Sequence, residues 1–113
     1  MSLGRRSCFI TAVIVVSSLM TGCSDDPPNK EIEQARQSIE TARASGAPQY
    51  ATDEFAAAEG ALTRSQAAVV ARDYRQALND ALDARDRAQT AAKDAADRKT
   101  VARTDVDRQL HDA

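Results

Sequence analysis

Residues 73–111 read DYRQALNDALDARDRAQTAAKDAADRKTVARTDVDRQLH, and one helical pattern runs through the whole stretch. Small or apolar residues recur every three or four positions, which places them on one face of an α-helix. They are Tyr74, Leu78, Ala81, Ala84, Ala88, Ala91, Ala95, Ala102, Val106 and Leu110. Asp73 is a good N-cap. The stretch therefore predicts one long helix over 73–111 with a narrow, alanine-rich face.

Two shorter helical patterns precede this stretch. The first predicts a helix over about 30–45 with Asn29 as its N-cap, and its stripe consists of Ile32, Ala35, Ile39 and Ala42. Gly46 and Pro48 should end it, because glycine favours helix C-termini and proline the residues just beyond them. The second predicts a helix over about 52–71 capped by Thr52, with the stripe Phe55, Ala58, Leu62, Ser65 and Val69. Gly60 lies inside this helix and could allow a neighbour to approach closely.

The boundary between the second and third helices is open from the sequence. Neither glycine nor proline separates Val70 from Tyr74, so the two could form one continuous helix. Burying both stripes within one chain, however, requires a turn. The sequence thus predicts an all-α fold, an antiparallel helical hairpin or three-helix bundle with a long C-terminal helix and coiled-coil-like, alanine-rich packing.

The lengths of these helices predict an uncovered end. At 1.5 Å per residue the third helix is about 58 Å long and the second about 30 Å. An antiparallel second helix would cover half of the third, and residues from about Ala91 onward would have no intramolecular cover. Either a second copy or another protein buries that half, or it is a solvated, fraying, charge-rich helix.

The beginning of the chain has the features of an export signal. Arg5 and Arg6 precede an apolar, uncharged run over 8–20, which is too short for a transmembrane helix but suits a signal peptide. Met20-Thr21-Gly22-Cys23 resembles the lipobox of bacterial lipoproteins, with cleavage between Gly22 and Cys23 and a thiol on Cys23 for the lipid. The alternative is an ordinary signal peptide with a chance cysteine. We expect residues 1–22 to be a lipoprotein signal peptide, 23–30 the lipidated cysteine and a tether, and 31–113 the helical domain.

Lipidation would place the domain on a membrane surface. Stable anchoring needs more than one acyl chain, and the tether SDDPPNK (24–30) reaches at most roughly 25 Å. By resemblance to enteric lipoproteins, in which Asp after the lipidated cysteine favours retention in the inner membrane, Ser24 favours the outer membrane, facing the periplasm. Removing 1–22 leaves 13 basic and 17 acidic residues, a formal charge of −4. This charge argues against nucleic acid as a partner and against a polybasic patch for membrane binding.

The mature chain offers little for catalysis. Removal of Cys8 and acylation of Cys23 would leave no thiol for disulfides or metal. His111 is the single histidine, and a zinc site would need three or four ligands at fixed spacing. We expect no enzyme, no metal and no cofactor. Tyr50, Phe55 and Tyr74 are the aromatic residues of the mature chain, and they pack where helices meet or else line a ligand pocket.

Four segments of the mature chain stand out together. The most distinctive is the junction Gly46-Ala47-Pro48-x-Tyr50-Ala51, and the others are Glu31-Ile32-x-x-Ala35-Arg36-x-Ser38-Ile39, Glu54-Phe55-x-x-Ala58-Glu59-x-x-Leu62 and Asp73-Tyr74-x-x-Ala77. Together they resemble a family of small envelope lipoproteins, the domain of unknown function 4398. The resemblance covers about residues 27 to 100. It implies a helical domain behind a lipoprotein signal and supplies no catalytic residues. Some relatives look fused to a peptidoglycan-binding domain of the OmpA type, which we do not expect in 31–113.

Three functions follow as hypotheses. The first is a lipid-anchored structural or accessory lipoprotein, a helical spacer or protein-interaction module that self-associates or docks on an envelope complex. The second is a module that binds a ligand or peptide in a cavity lined by Tyr50, Phe55 and Tyr74. The third is a murein-linked lipoprotein, which normally needs a C-terminal lysine, whereas the last lysine here is Lys99.

Overall fold

The computed structural model describes residues 26–113. The predicted signal peptide, the cleavage site at Gly22 and Cys23, and Ser24 lie outside the described residues. Four helices follow one another: α1 (Asn29–Ala44), the single-turn α2 (Ala47–Tyr50), α3 (Thr52–Val70) and α4 (Tyr74–Asp112). The three long helices begin and end within one residue of the sequence prediction. The fold is all-α, with a long C-terminal helix packed against the others.

The joint between α1 and α3 is more ordered than the sequence suggested. Gly46 has a φ of 89°, in the left-handed region that glycine tolerates best. The chain then forms α2, an element that sequence analysis missed because four residues are too few to show a period. Thr52 is not the N-cap of α3: Ala51 occupies that position, and the Thr52 hydroxyl donates to the Pro48 carbonyl at 3.0 Å.

The N-cap predicted for α1 is also wrong. Pro28 occupies the cap position, and Asn29 is already the first helical residue. No side chain caps this helix end, but the Ile32 amide donates to the Pro28 carbonyl at 3.0 Å.

The open question of the α3–α4 boundary is answered by a turn at 71–73. Arg72 adopts a φ of 58°. Its amide donates to the Val69 carbonyl at 3.0 Å, and the Asp73 amide donates to the Ala68 carbonyl at 2.9 Å. This pair of bonds is a Schellman motif, which usually places glycine where arginine stands here. The Asp73 side chain then accepts from the Gln76 amide at 3.0 Å, which confirms Asp73 as the N-cap.

The three long helices form a bundle in which α3 runs antiparallel to α1 and α4. The Ser65 hydroxyl near the end of α3 donates to the Ala77 carbonyl near the start of α4 at 2.6 Å. Glu54 at the other end of α3 lies 3.4 Å from Arg87. Ala35 of α1 shares a buried cluster with Ala84 of α4, so α1 and α4 run side by side in the same direction.

The core consists almost entirely of alanine, and Ile39 and Phe55 are its two larger members. The buried alanines are Ala35, Ala42, Ala47, Ala51, Ala58, Ala61, Ala68, Ala77, Ala81, Ala84, Ala88, Ala91 and Ala95. Because the distance between packed helices depends on the side chains at the contact, alanine allows the helices to approach closely. Each contact buries little area, so stability depends on many small contacts.

The faces turned inward differ slightly from the predicted stripes. Ala61 and Ala68 lie at the centre of the buried face of α3, while Leu62 and Val69 lie at its half-buried edge. In α4, Ala77 is fully buried, whereas Leu78 is 36% exposed. Where two helices lie closest together, the smallest side chains occupy the contact. The sequence prediction had placed the larger apolar residues there.

The predicted limit of intramolecular cover was also wrong. Ala91 and Ala95 are both 0% exposed and belong to the main core cluster. The prediction considered only α3 as a cover for α4. In the structure α1 runs alongside α4 and continues through Gly46 into α2, whose Ala47 belongs to the same cluster. The cover therefore extends to about residue 95.

Candidate functional site

Beyond residue 95, α4 continues past the bundle. We call residues 96–112 the distal segment. Its large apolar side chains are exposed: Val101 by 60%, Val106 by 53% and Leu110 by 72%. Ala102, Val106 and Leu110 are four residues apart and therefore share one face of the helix. The distal segment is thus an amphipathic helix end without a partner in the part of the chain that the structure describes.

A groove lies where the distal segment leaves the bundle. We call it the distal groove, and it is lined by Tyr50, Lys99, Ala102, Arg103, Val106 and Asp107. Tyr50 is held there by α2, whose last carbonyl, that of Tyr50 itself, accepts a hydrogen bond from the Arg98 guanidinium. The groove combines the Tyr50 ring, the apolar side chains of Ala102 and Val106, and side chains of both charges.

The three aromatic residues singled out in the sequence do not line one cavity. Phe55 is 6% exposed, lies in the core, and has the Arg43 guanidinium 5.5 Å from its ring centre. Tyr50 packs against the same core from the edge. Tyr74 lies at the opposite end of the bundle, in a groove with Pro27 and Pro28. The alternative of one ligand cavity lined by Tyr50, Phe55 and Tyr74 is therefore wrong, whereas Phe55 and Tyr50 do pack where helices meet.

The surface of the bundle is tied together by ion pairs between helices. Arg43 of α1 contacts Glu59 of α3 at 2.8 Å, and Arg64 of α3 contacts Asp80 and Asp83 of α4 at 3.4 Å each. A hydrogen bond from Arg43 to Glu40, with a smaller effect of Glu59, raises the pKa of Arg43 above its ordinary value. Each exposed pair of this kind contributes little to the free energy of folding. The pairs named here join different helices, so together they favour this arrangement of the bundle.

Charge pairing changes in the distal segment. Arg87, in the bundle, is paired with Asp83 at 3.0 Å and with Glu54 at 3.4 Å, and these carboxylates raise its pKa, Asp83 most strongly. Among the described residues, the distal segment forms one ion pair within itself, between Arg108 and Asp105 at 3.6 Å. Among the described residues, the distal segment contacts the bundle through the Arg98 hydrogen bond and along the distal groove.

A buried polar cluster joins α3 to the first turns of α4, and sequence reasoning missed half of it. Ser65 is 0% exposed and Asp80 is 8% exposed. Asp80 accepts from the Gln76 amide group at 2.9 Å and lies 3.4 Å from the Arg64 guanidinium. Asp80 lies three residues after Ala77 and four residues before Ala84, so all three share one face of α4. This spacing is the sequence signal that could have predicted the burial of Asp80. The cluster satisfies its own hydrogen bonds and fixes the pairing of the two helices.

Residues 26–113 contain no group of three or more His, Cys, Asp or Glu side chains that could hold a metal ion. His111 is exposed near the end of α4. In the same range no helix combines the length and apolarity that a bilayer crossing requires.

The sequence of this chain matches a family model. It is the Domain of unknown function (DUF4398), and it matches residues 30–107. The chain belongs to this family. The match begins in the first turn of α1 and reaches into the distal segment, so both the bundle and most of α4 lie within the family domain. Searches of curated proteins and of solved structures found no match.

Proposed function

We propose that this DUF4398 protein is a non-enzymatic accessory lipoprotein of the bacterial envelope, anchored through Cys23 in the outer membrane and facing the periplasm. The bundle acts as a spacer, and the distal segment is its protein-interaction element. The single observation that carries this proposal is the continuation of α4 past the bundle with Val101, Val106 and Leu110 exposed. The signal and lipobox pattern at 5–23 supports the anchor.

The energetics of an unsupported helix favour an occupant on the distal segment. An isolated helix of about twenty residues is marginal in water. A protein partner that covers the Ala102–Val106–Leu110 face would add apolar burial of about 25 cal/mol per Å². The distal groove extends the same face onto Tyr50, so a partner helix could contact both α2 and α4.

A test of this proposal is photocrosslinking in intact cells from a crosslinker at Val106. The matched control is Gln89, which is exposed on the bundle part of the same helix. We expect an adduct from Val106, either with a second copy or with an envelope protein, and none from Gln89. No adduct from Val106, or equal labelling from both positions, would contradict an interaction role.

The anchor is tested separately by the mass of the mature protein. We expect a mature chain that begins at Cys23 and carries acyl chains, and a Cys23→Ser variant that is neither acylated nor retained with the membrane. A mature chain that begins elsewhere and is soluble would overturn the anchoring proposal and leave the interaction test unaffected. Retention on sacculi boiled in detergent would instead revive a covalent link to murein.

A further inference from the structure

The end of the bundle opposite the distal segment carries an unusual combination of side chains. Val70, the last residue of α3, is 86% exposed, more than any other large apolar side chain of the described residues. Arg72 follows in the left-handed conformation that closes the Schellman turn. Tyr74 and Leu78, on the first turns of α4, are half-buried and 36% exposed. We call Val70, Arg72, Tyr74, Arg75 and Leu78 the turn face.

The guanidinium groups of the turn face are not engaged in ion pairs. Arg72 and Arg75 are exposed and form no ion pair with the residues that the structure describes, a property that they share with Arg98 and Arg103 of the distal segment. The arginines that do form ion pairs are Arg36, Arg43, Arg64, Arg85, Arg87 and Arg108. Asp73 lies between Arg72 and Arg75, but its carboxylate accepts from the Gln76 amide. The acidic Asp26 and Glu31 lie across the groove, on the α1 side.

The position of the N-terminal segment decides what can meet this face. Asp26 and Pro27 line a groove with Tyr74, Arg75 and Leu78, so the chain enters the bundle beside the turn face. Cys23 is three residues before Asp26 in the sequence. Three extended residues span at most roughly 11 Å. An acyl chain on Cys23 therefore brings a lipid surface within reach of the turn face and of no other end of the bundle.

From this placement, we infer that the turn face docks on the membrane surface, with Val70 and Tyr74 at the level of the headgroups and Arg72 and Arg75 against lipid phosphates. This inference rests on the proposed anchoring at Cys23. Aromatic rings with a polar edge are enriched at membrane interfaces, and basic residues close to an anionic lipid surface are attracted to it. Docking orients α4 away from the lipid, so that the distal segment points into the periplasm.

The experiment uses the lipidated protein purified from bacterial membranes and placed in vesicles of phosphatidylethanolamine and phosphatidylglycerol. A nitroxide is attached through Ala71→Cys, next to Val70, and in a second protein through Gln109→Cys in the distal segment. Collision rates with lipid-soluble oxygen and with a water-soluble nickel complex are measured for each label. We expect the label at 71 to have several-fold higher oxygen access relative to nickel than the label at 109.

A pair of charge-matched variants separates docking from chance proximity. In Val70→Asp with Arg72→Glu, the label at 71 should become water-like. In Gln89→Asp with Arg36→Glu, which makes the same change in net charge on exposed sites of the bundle, it should not move. Circular dichroism establishes that both variants remain helical.

The outcomes distinguish the two proposals. If mass spectrometry finds acylated Cys23 but the label at 71 is as water-accessible as the label at 109, the docking inference fails and the anchor stands. If the acyl mass is absent, the anchoring proposal fails and the docking inference fails with it. Equal loss of lipid contact in the two charge-matched variants would also overturn the specific role of the turn face.

Discussion

The two halves of α4 share one helix but not one environment. Over residues 77–95 the buried side chains of its inner face are alanine with the exception of Asp80, and this face packs against three other helices. Past residue 95 the same face carries Val106 and Leu110, which are mostly exposed. Alanine is found where helices are already close, and the larger apolar residues are found where no helix lies. The comparison teaches that, within α4, alanine marks the part packed against other helices, whereas Val106 and Leu110 mark the part that is mostly exposed.

The largest expected contrast comes from removing a large apolar side chain either from the core that the first half of α4 packs against or from the distal segment. Phe55→Ala should lower the free energy of unfolding by about 3–5 kcal/mol, because it empties space in a core that otherwise contains mainly alanine. Leu110→Ala, at a side chain 72% exposed, should change it by less than about 0.5 kcal/mol. Urea unfolding followed by circular dichroism measures both. Equal losses of unfolding free energy in the two variants would contradict the distinction between a packed and an exposed half of α4.

Proline tests the same division through the backbone. Gln89→Pro should cost about 3 kcal/mol or more, because it removes a hydrogen bond in the part of α4 that supports the bundle. Thr104→Pro should melt the last turns and leave the unfolding midpoint of the bundle nearly unchanged. Thermal unfolding followed by circular dichroism measures the midpoint of each variant. A collapse of the whole fold by Thr104→Pro would mean that the distal segment stabilises the bundle.

Overpacking sharpens the comparison at matched alanines. Ala84 is 0% exposed, between Ala35 and Ala61. Ala84→Leu should destabilise the protein by about 1–3 kcal/mol, because the helices must separate to admit the added atoms. Ala96→Leu, at an exposed site, should be within about 0.5 kcal/mol of the parent protein. Tolerance of leucine at position 84 would contradict close helix packing.

The smallest expected effects distinguish two glycines of the bundle. Gly46→Ala should destabilise by about 1–2 kcal/mol, because φ is 89° and a Cβ there would meet the Tyr50 ring at 3.2 Å. Gly60→Ala should stabilise by about 0.5–1 kcal/mol, because its Cβ would meet only the end of Arg64, at 3.7 Å. The same unfolding titration measures both. The changes in the free energy of unfolding should therefore have opposite signs. The close approach of a neighbouring helix predicted at Gly60 is not found, because a Cβ there would meet only the end of Arg64.

Most of the features that could be predicted have local reasons, although the equally local N-caps predicted at Asn29 and Thr52 were wrong. Helix bounds, the stop at Gly46 and the cap at Asp73 follow from a few neighbouring residues, and the structure has them where the sequence placed them. The inward faces were less predictable. Ala61 rather than Leu62 lies at the centre of α3 because the nearest helix, and not apolarity alone, selects it.

The candidate site was predicted in kind but not in position. That α4 outruns its neighbours follows from helix lengths alone, but the limit near residue 95 depends on α1 and α2 covering Ala91. This cover is tertiary and leaves no mark in the periodicity. The turn face was missed for a similar reason, since Val70 appears as one more apolar residue of the α3 pattern until the turn at Arg72 exposes it.

Amide hydrogen exchange along α4 tests the central claim most directly, with the purified protein compared with the same protein in native envelope membranes. In the purified protein we expect slow exchange over 77–95 and fast exchange over 100–112, with the change near residue 96. In native membranes the distal amides should become protected while the bundle amides stay as they were. Distal amides that exchange as fast as a free peptide in native membranes would contradict an interaction role for the distal segment.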